Sequence, residues 1–198
     1  MIVGITGGIG SGKSYVAECF LSYDNTAYYH ADEEAKKLMN ESQEIKEKII
    51  LEFGSEAYKN EELNRSYIAS QVFDNPGRLQ KLNSIVHPAV KSHFQDFVAQ
   101  KEASTIIIYE NAILFEAKSD QQCDIVITVI APLEDRIARV TSRDGVTREE
   151  VMKRVNNQWS DTQKKLLSNY IILNISKKET LLKVQDFYNI LTKKSLLF

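Results

Sequence analysis

The sequence has few of the residues that break or cross-link a chain, and its opposite charges nearly cancel. It contains 3 prolines, 2 cysteines and 1 tryptophan among 198 residues, and its 25 Lys and Arg nearly balance its 27 Asp and Glu. The resulting net charge of −2 lacks the basic excess typical of nucleic-acid-binding or anionic-membrane-binding proteins. No apolar run reaches the roughly 20 residues that a transmembrane helix needs. We therefore expect no nucleic-acid partner and no membrane association.

The two cysteines also exclude several kinds of site. Cys19 and Cys123 lie far apart and lack the spacing of metal ligands, so we interpret them as reduced, buried thiols. The opening residues MIVGITGG have no basic segment followed by an apolar one, which is the pattern of a signal peptide. We therefore expect a cytoplasmic protein.

Short apolar runs separated by helical patterns predict an α/β fold. Several of these runs are continuously apolar and rich in Ile and Val, which is typical of parallel strands covered on both faces. The alternation with helices favours a parallel sheet with right-handed crossovers. The predicted strands are Ile2–Thr6, Ala27–His30, Ile106–Tyr109, Ile125–Ile130 and Tyr170–Leu173.

Two stretches are too long or too charged for a simple alternation of strands and helices. About 75 residues separate the second and third predicted strands, far more than one crossover helix needs. They include the helical patterns SQEIKEKIILEF and NPGRLQKLNSIV. His87 precedes Pro88, so we expect the latter helix to end there and a new one to begin at Pro88. This stretch predicts a helical insertion or lobe.

The second unusual stretch covers residues 136–158. Asp144-Gly145 is a turn signal, and Thr147 followed by Glu150 is the pattern of a capping box. Two helices joined by a short turn predict a hinged flap. Arg136, Arg139 and Arg143 have helical spacing, so we expect one cationic face on this flap.

The segment Gly7–Ser14 reads GGIGSGKS and matches the phosphate-binding pattern GxxxxGK[ST]. It follows a predicted strand and opens a predicted helix, which is the context that such a loop requires. Glycines allow backbone N–H groups to face phosphate oxygens, and the helix N-terminus adds positive charge. We expect Lys13, at the surface, to reach the β- and γ-phosphates and Ser14 to bind Mg²⁺.

This loop predicts nucleotide binding but does not select a reaction. The guanine-reading string NKxD is absent from the sequence, which argues against a GTPase. The arginines favour a kinase, because a cationic flap neutralises a transferring phosphoryl group and excludes water. Kinases of nucleosides, nucleotides or small alcohols, and nucleotide-dependent switches, stay open at this point.

The order of several further segments resembles the dephospho-coenzyme A kinase family. After GITGGIGSGKS come HAD at His30–Asp32, LNSIVHP at Leu82–Pro88, AILFE at Ala112–Glu116, SRDGVTREE at Ser142–Glu150, RVNNQ at Arg154–Gln158 and NYIILN ending at Asn174. The family often has Asp where this chain has His30, Thr where it has Tyr15, Pro where it has Ala112 and Ala-Asp where it has Ser168-Asn169.

The resemblance implies a P-loop, nucleoside-monophosphate-kinase-like fold with a five-stranded parallel sheet flanked by helices. One kinase domain over residues 1–198 would have a core at about 1–32, 88–138 and 159–198, a helical acceptor lobe at about 33–87 and a lid at about 139–158. It implies transfer of the ATP γ-phosphate to the ribose 3′-hydroxyl of dephospho-CoA with Mg²⁺. We expect a monomer or weak homo-oligomer.

The resemblance and the motifs together predict roles for individual residues. Catalysis is expected from Asp32 as the base, Lys13 and Arg143, and acceptor binding from Asp32, Arg65 and His87. Ser14 is the expected metal ligand. For Glu110 and Glu116 we expect water-mediated metal or substrate contacts at most, or equally a role at a helix terminus. The expected ATP-binding residues are Gly8, Ile9, Gly10, Ser11, Gly12, Lys13, Ser14, Tyr15, Arg139 and Arg143.

Overall fold

A computed structural model describes residues 1–73 and 75–195. The contacts divide the chain into two compact units. The first unit comprises residues 1–30 and residues from 101 onward, and the second comprises residues 31–100. The predicted helical lobe, about 33–87, falls within the second unit.

The strands closely match the predicted ones. The five strands of the larger sheet are parallel, which confirms the expected fold class. Two further short strands form an antiparallel hairpin in the second unit. In chain order the strands are β1 Ile2–Thr6, β2 Thr26–His30, β3 Tyr58–Lys59, β4 Glu62–Leu63, β5 Ile106–Glu110, β6 Ile125–Ile130 and β7 Tyr170–Leu173.

The helices follow the predicted periodicity with one exception, described below. In chain order they are α1 Lys13–Phe20, α2 Ala31–Glu41, α3 Gln43–Phe53, α4 Arg65–Val72, α5 Pro76–Ala99, α6 Leu133–Asp144, α7 Arg148–Asn156, α8 Asp161–Leu167 and α9 Lys177–Ser195. Helices α2 to α5 lie in the second unit, and the others lie in the first.

The strand order of the larger sheet is β2-β5-β1-β6-β7, so the first strand of the chain is the central one. Val3 and Ile5 on β1 are fully buried, as are Ile108 on β5 and Ile127 on β6. Parallel strands with both faces covered need such apolar runs. The sheet thereby fixes the position of the loop that leaves the carboxyl end of β1.

The second unit has its own apolar core around Ile45, Ile49 and Phe53 on α3 and Ile68 on α4. The three α3 residues recur at intervals of four, so the helical period places them on one face. Ser42 and Asn64 begin these two helices by accepting hydrogen bonds from the backbone N–H groups of Ile45 and Tyr67.

Helix α5 contradicts the expected break at His87-Pro88. It runs continuously from Pro76 to Ala99 with Pro88 inside it. Val86, Val90 and Phe94 are buried on both sides of the proline, whose own ring is exposed. Packing of this apolar face stabilises the helix enough to offset the missing N–H at Pro88.

The flap region has the predicted helix–turn–helix form. Helix α6 ends at Asp144, and the next residue, Gly145, has a φ of 67° in the left-handed region. Thr147 and Glu150 form the predicted capping box at the start of α7. Ile137, Val140 and Val151 pack together between the two helices.

The structure bears on two expectations from the sequence: that the cysteines are reduced, buried thiols, and that the chain does not associate with membranes. Both cysteines are free thiols; Cys19 is buried, whereas Cys123 is only partly buried. Burial raises the pKa of the Cys123 thiol to about 12. Over residues 1–73 and 75–195, no helix combines the length and the apolar character that crossing a membrane requires.

Candidate active site

The phosphate-binding loop, residues Gly7–Ser14, connects β1 to α1. Gly12 is the residue before α1, and its φ of 91° lies in the left-handed region that favours glycine. A Cβ at Gly12 would overlap the side-chain Nδ2 of Asn174. The sequence therefore needs glycine here for close approach of a neighbour as well as for backbone conformation.

Asn174, directly after β7, supports the loop through several hydrogen bonds. Its Nδ2 donates to the Ser11 carbonyl at 2.8 Å, and its Oδ1 accepts from Thr180 Oγ1 at 2.9 Å. Its own carbonyl accepts from Arg139 Nη2 at 3.0 Å. Asn174 closes the NYIILN segment used for the family resemblance, but its role was not predicted.

Lys13 is buried, contrary to the expectation of a surface lysine. Its exposed fraction is 8%, and its Nζ donates to the Gly8 carbonyl at 3.3 Å. The aliphatic stem is therefore covered while the ammonium group stays within the loop. A cation held in this position suits an anionic ligand of the loop.

Ser14 belongs to a polar cluster centred on Glu110, at the end of β5. Ser14 Oγ donates to Glu110 Oε1 at 2.9 Å, and Tyr28 Oη donates to Glu110 Oε2 at 2.5 Å. His30 Nε2 lies 3.7 Å from Glu110 Oε1, and the His30 ring stacks on that of Tyr28. Glu110 is 1% exposed, so these donors compensate its burial. Hydroxyl and carboxylate oxygens are the donor set that suits Mg²⁺.

The three arginines on α6 do not form the uniform cationic face that their spacing predicts. Arg136 is buried, and its Nη1 contacts the Asp161 carboxylate at 3.2 Å. Arg139 donates to the carbonyls of Gly10 and Ser11, each at 3.4 Å. Both side chains turn toward the loop backbone because its carbonyls need donors.

Arg143 differs from the other two arginines, since its side chain is 66% exposed. Its Nε donates to Asp144 at 2.7 Å, and Arg154 Nη1 donates to the same carboxylate at 2.9 Å. The hydrogen bond from Arg143 is the main reason that the pKa of Asp144 is lowered. Two guanidinium groups therefore meet at the α6–α7 turn.

A buried lysine that was not predicted anchors the chain after β5. Lys164 is fully buried, and its Nζ donates to the Ala112 carbonyl at 2.5 Å. It also forms an ion pair with Glu116 at 2.9 Å. Desolvation lowers the pKa of Lys164, while Glu116 opposes that shift. This direct ion pair between Glu116 and Lys164 was not predicted from the sequence.

The residues predicted to bind the acceptor lie in the second unit. Asp32 is in the first turn of α2, which begins at Ala31, so it is not the N-cap of that helix. Arg65 is exposed at the start of α4 and lines a pocket of about 560 Å³ with Asn40 and Lys59. His87 is half-buried on α5, and its burial lowers its pKa.

Comparison with known proteins decides the family. The family model of dephospho-CoA kinase matches residues 1–179. A dephospho-CoA kinase from Salinibacter ruber is 41% identical over 178 residues, covering 87% of this chain and 87% of that protein. The chain belongs to the dephospho-CoA kinase family.

Solved structures support the fold of this dephospho-CoA kinase family member. The crystal structure of TT1252 from Thermus thermophilus has a TM-score of 0.86 and 31% identity, covering 96% of each chain. A dephospho-CoA kinase from Campylobacter jejuni has a TM-score of 0.72 and 22% identity, covering 98% of each chain. Membership of this family, together with the fold, makes the chain an ATP-using kinase of the P-loop class.

Proposed function

We propose that this protein transfers the γ-phosphate of ATP to the ribose 3′-hydroxyl of dephospho-CoA, giving coenzyme A and ADP. The phosphate-binding loop with its buried Lys13 carries the proposal, because it supplies a cation and a helix N-terminus at one point. Membership of the dephospho-CoA kinase family selects the acceptor.

The loop would bind the triphosphate through its backbone. The proposed ATP-binding residues run from Gly8 to Tyr15. The Lys13 ammonium would leave its 3.3 Å contact with the Gly8 carbonyl for phosphate oxygens, which are stronger acceptors. Charge placed there before reaction stabilises the transferring phosphoryl group without reorganisation.

The oxygens around Glu110 fit Mg²⁺. The Ser14 hydroxyl would be a metal ligand, and Glu110 would orient that hydroxyl through the hydrogen bond at 2.9 Å. When bound, Mg²⁺ neutralises charge on the β- and γ-phosphates. Tyr28 and His30 would keep the Glu110 carboxylate in place.

Asp32 is the proposed general base. It would orient and accept the proton of the ribose 3′-hydroxyl, which is a weak nucleophile without such help. Arg65 and His87 are proposed to contact the acceptor. Because burial lowers the pKa of His87, this side chain would be neutral near pH 7 and act as a hydrogen-bonding group.

Arg139 and Arg143 are the proposed arginines of the ATP site, and residues 139–158 are the proposed lid. Arg143 is the better candidate for a transition-state contact, since its side chain is 66% exposed. A side chain with this freedom can move onto a developing charge and exclude water.

An acceptor panel tests the proposed function. Purified protein with MgATP is offered dephospho-CoA, nucleosides, nucleoside monophosphates and small alcohols, and both ADP and phosphorylated product are measured. We expect turnover with dephospho-CoA and only slow hydrolysis with the others. Lys13→Met is the matched control for contaminating kinases, because it should retain the fold and lose about 10²–10³-fold in kcat/KM.

Two outcomes would contradict the proposal. A preference for a nucleoside or small alcohol would make the protein a different small-molecule kinase. Hydrolysis at a rate independent of every acceptor would indicate a nucleotide-dependent switch.

A further inference from the structure

Ile9 lies between Gly8 and Gly10 in the phosphate-binding loop, and its backbone is held at both ends. Its N–H donates to Gln158 Oε1 at 2.8 Å, and its carbonyl accepts from Arg136 Nε at 2.8 Å. Both partners are side chains from far along the sequence. The peptide groups on either side of Ile9 therefore have fixed orientations.

The Ile9 side chain adds a third attachment. It packs against the apolar cluster of Ile137 and Val140 on α6 and Val151 on α7. The loop is thus joined to the α6–α7 pair by apolar contact as well as by hydrogen bonds.

The segment that carries Gln158 is itself anchored. The Gln158 N–H donates to the Val155 carbonyl at 3.2 Å, which continues the end of α7. The N–H of the next residue, Trp159, donates to Glu116 Oε1 at 2.9 Å. Asp161, in the same segment, then accepts from Arg136 Nη1, so Arg136 binds the segment that carries Gln158 as well as the Ile9 carbonyl.

We infer that Gln158 is a positioning residue for nucleotide binding, acting through the Ile9 backbone; this rests on the proposed function. Gln158 holds the Ile9 N–H, and the Ser11 N–H donates to the Gly8 carbonyl at 3.1 Å, so the loop backbone is ordered before nucleotide binds. A loop ordered before binding loses less conformational entropy when ATP arrives. Removing the acceptor of Gln158 therefore weakens ATP binding.

The direction of the change in ATP affinity distinguishes this role of Gln158 from the opposite one. If Gln158 instead occupied an amide that a phosphate oxygen needs, ATP would have to displace it. Removing the Gln158 acceptor would then tighten ATP binding.

The experiment compares Gln158→Met, which removes the acceptor at similar volume, with Gln158→Glu, which keeps an acceptor oxygen. Gln185→Met is the matched control, since Gln185 is exposed on α9. MgATP affinity is measured by calorimetry, and folding is checked by the melting temperature. In nucleotide-free protein, exchange of the Ile9 amide hydrogen is followed by NMR.

We expect Gln158→Met to raise the Kd for MgATP about three- to tenfold, the range for one lost neutral hydrogen bond. Its kcat at saturating substrates should stay within about twofold, because the effect precedes the chemical step. Ile9 amide exchange should accelerate in Gln158→Met but stay slow in Gln158→Glu. Gln185→Met should match the wild type in all three measurements.

An unchanged or lowered Kd in folded Gln158→Met would overturn the inference. So would Ile9 amide exchange equal to that of the wild type. The phosphoryl acceptor, dephospho-CoA, is tested separately. If wild-type protein binds MgATP but does not phosphorylate dephospho-CoA, the proposed function is contradicted and the ATP measurements stay interpretable.

Discussion

Asn174 and Ser11 are 163 residues apart in the sequence, yet the Asn174 amide donates to the Ser11 carbonyl at 2.8 Å. The same amide nitrogen is the atom that a Cβ at Gly12 would overlap. One side chain thus supports the loop backbone and also restricts the residue that can follow Ser11. Loop geometry depends on this packing as much as on the glycine itself.

Gly12→Ala should therefore cost more stability than Gly145→Ala. Both glycines have a positive φ, so alanine is strained by roughly 1–2 kcal/mol at each. Only Gly12 has a close neighbour, since nothing lies within 4 Å of a Cβ at Gly145. Displacing Asn174 should add at least about 1 kcal/mol and abolish ATP binding.

Urea unfolding and ATP titration of the two variants check this prediction. Equal losses of stability would show that strain alone explains the glycine, and that Asn174 moves away at no cost.

Asp32→Asn tests the proposed base. Asparagine nearly conserves the shape but accepts a proton far less well, so single-turnover transfer to dephospho-CoA should slow by about 10²–10⁴-fold. Glu33→Gln is the control, because it removes a negative charge from the same first turn of α2. Any loss of favourable charge at the helix N-terminus, roughly 0.3–1 kcal/mol, is then common to both variants.

The measurement uses saturating MgATP and dephospho-CoA. A loss below about threefold in Asp32→Asn would assign Asp32 to the helix terminus only. A loss restored by higher Mg²⁺ would make it a metal-holding group, since added metal does not replace a base.

At the scale of single residues, the sequence could predict the loop but not its supports. Gly7 to Ser14 are contiguous, so their spacing alone identifies a phosphate-binding loop. Asn174, Gln158 and Lys164 contact backbone groups more than 50 residues away. A pattern of neighbouring residues contains no information about such partners.

Helix α5 shows why an element can differ from its local signals. The steric preference of a residue before proline predicts a break at His87, and local preference is weak compared with packing of a long apolar face. The strands, in contrast, match the structure that their local sequence predicts. Their apolar composition, their length and their burial on both faces all favour the same parallel sheet.

Pro88→Ala should stabilise the protein. Alanine supplies the missing N–H to the helix and removes the steric clash, while the exposed ring at Pro88 contributes little packing. After subtracting the entropy that alanine restores to the unfolded chain, we expect a gain of about 1–2 kcal/mol. Thermal and urea unfolding measure it; a loss of stability would mean that the Pro88 ring itself contributes to the packing of α5.

The turn between α6 and α7 brings Arg143 and Arg154 to one carboxylate, that of Asp144. An arginine held at a turn between two helices needs only a small movement to meet a new anion. We therefore expect Arg143 to act in the reacting complex more than in the resting one.

Arg143→Ala should lower kcat by about 10–10³-fold and raise the Kd for ATP far less. Arg148→Ala is the control, since Arg148 is an exposed arginine of the same helix pair that binds Glu134 at 2.6 Å. Steady-state kinetics and calorimetry separate the two effects. A Kd increase as large as the loss in kcat/KM, with kcat unchanged, would make Arg143 a uniform binding group.

Across the whole molecule, stability should depend on pH through His87. Burial lowers the pKa of His87, so the unfolded chain binds more protons than the folded chain below about pH 6.5. The free energy of unfolding therefore falls as pH drops from about 7 through this range. The contribution of one such group is at most about 1.4 kcal/mol per pH unit.

Urea unfolding of wild-type protein and His87→Gln at several pH values isolates the contribution of His87 to the pH dependence of the free energy of unfolding. Carboxylates contribute to both proteins alike, so the difference between the two curves reports His87. The variant should lose less stability on acidification, and parallel curves would contradict the prediction.

The central position of β1 also determines the order in which the molecule can be assembled during synthesis. Its partners β5 and β6 begin at Ile106 and Ile125, so a ribosome adding about 5–20 residues per second needs several seconds to supply them. The second unit, residues 31–100, is continuous in sequence and is fully synthesised before either partner emerges. The nascent chain must therefore carry the unpaired apolar strand β1 while residues 31–100 are already complete.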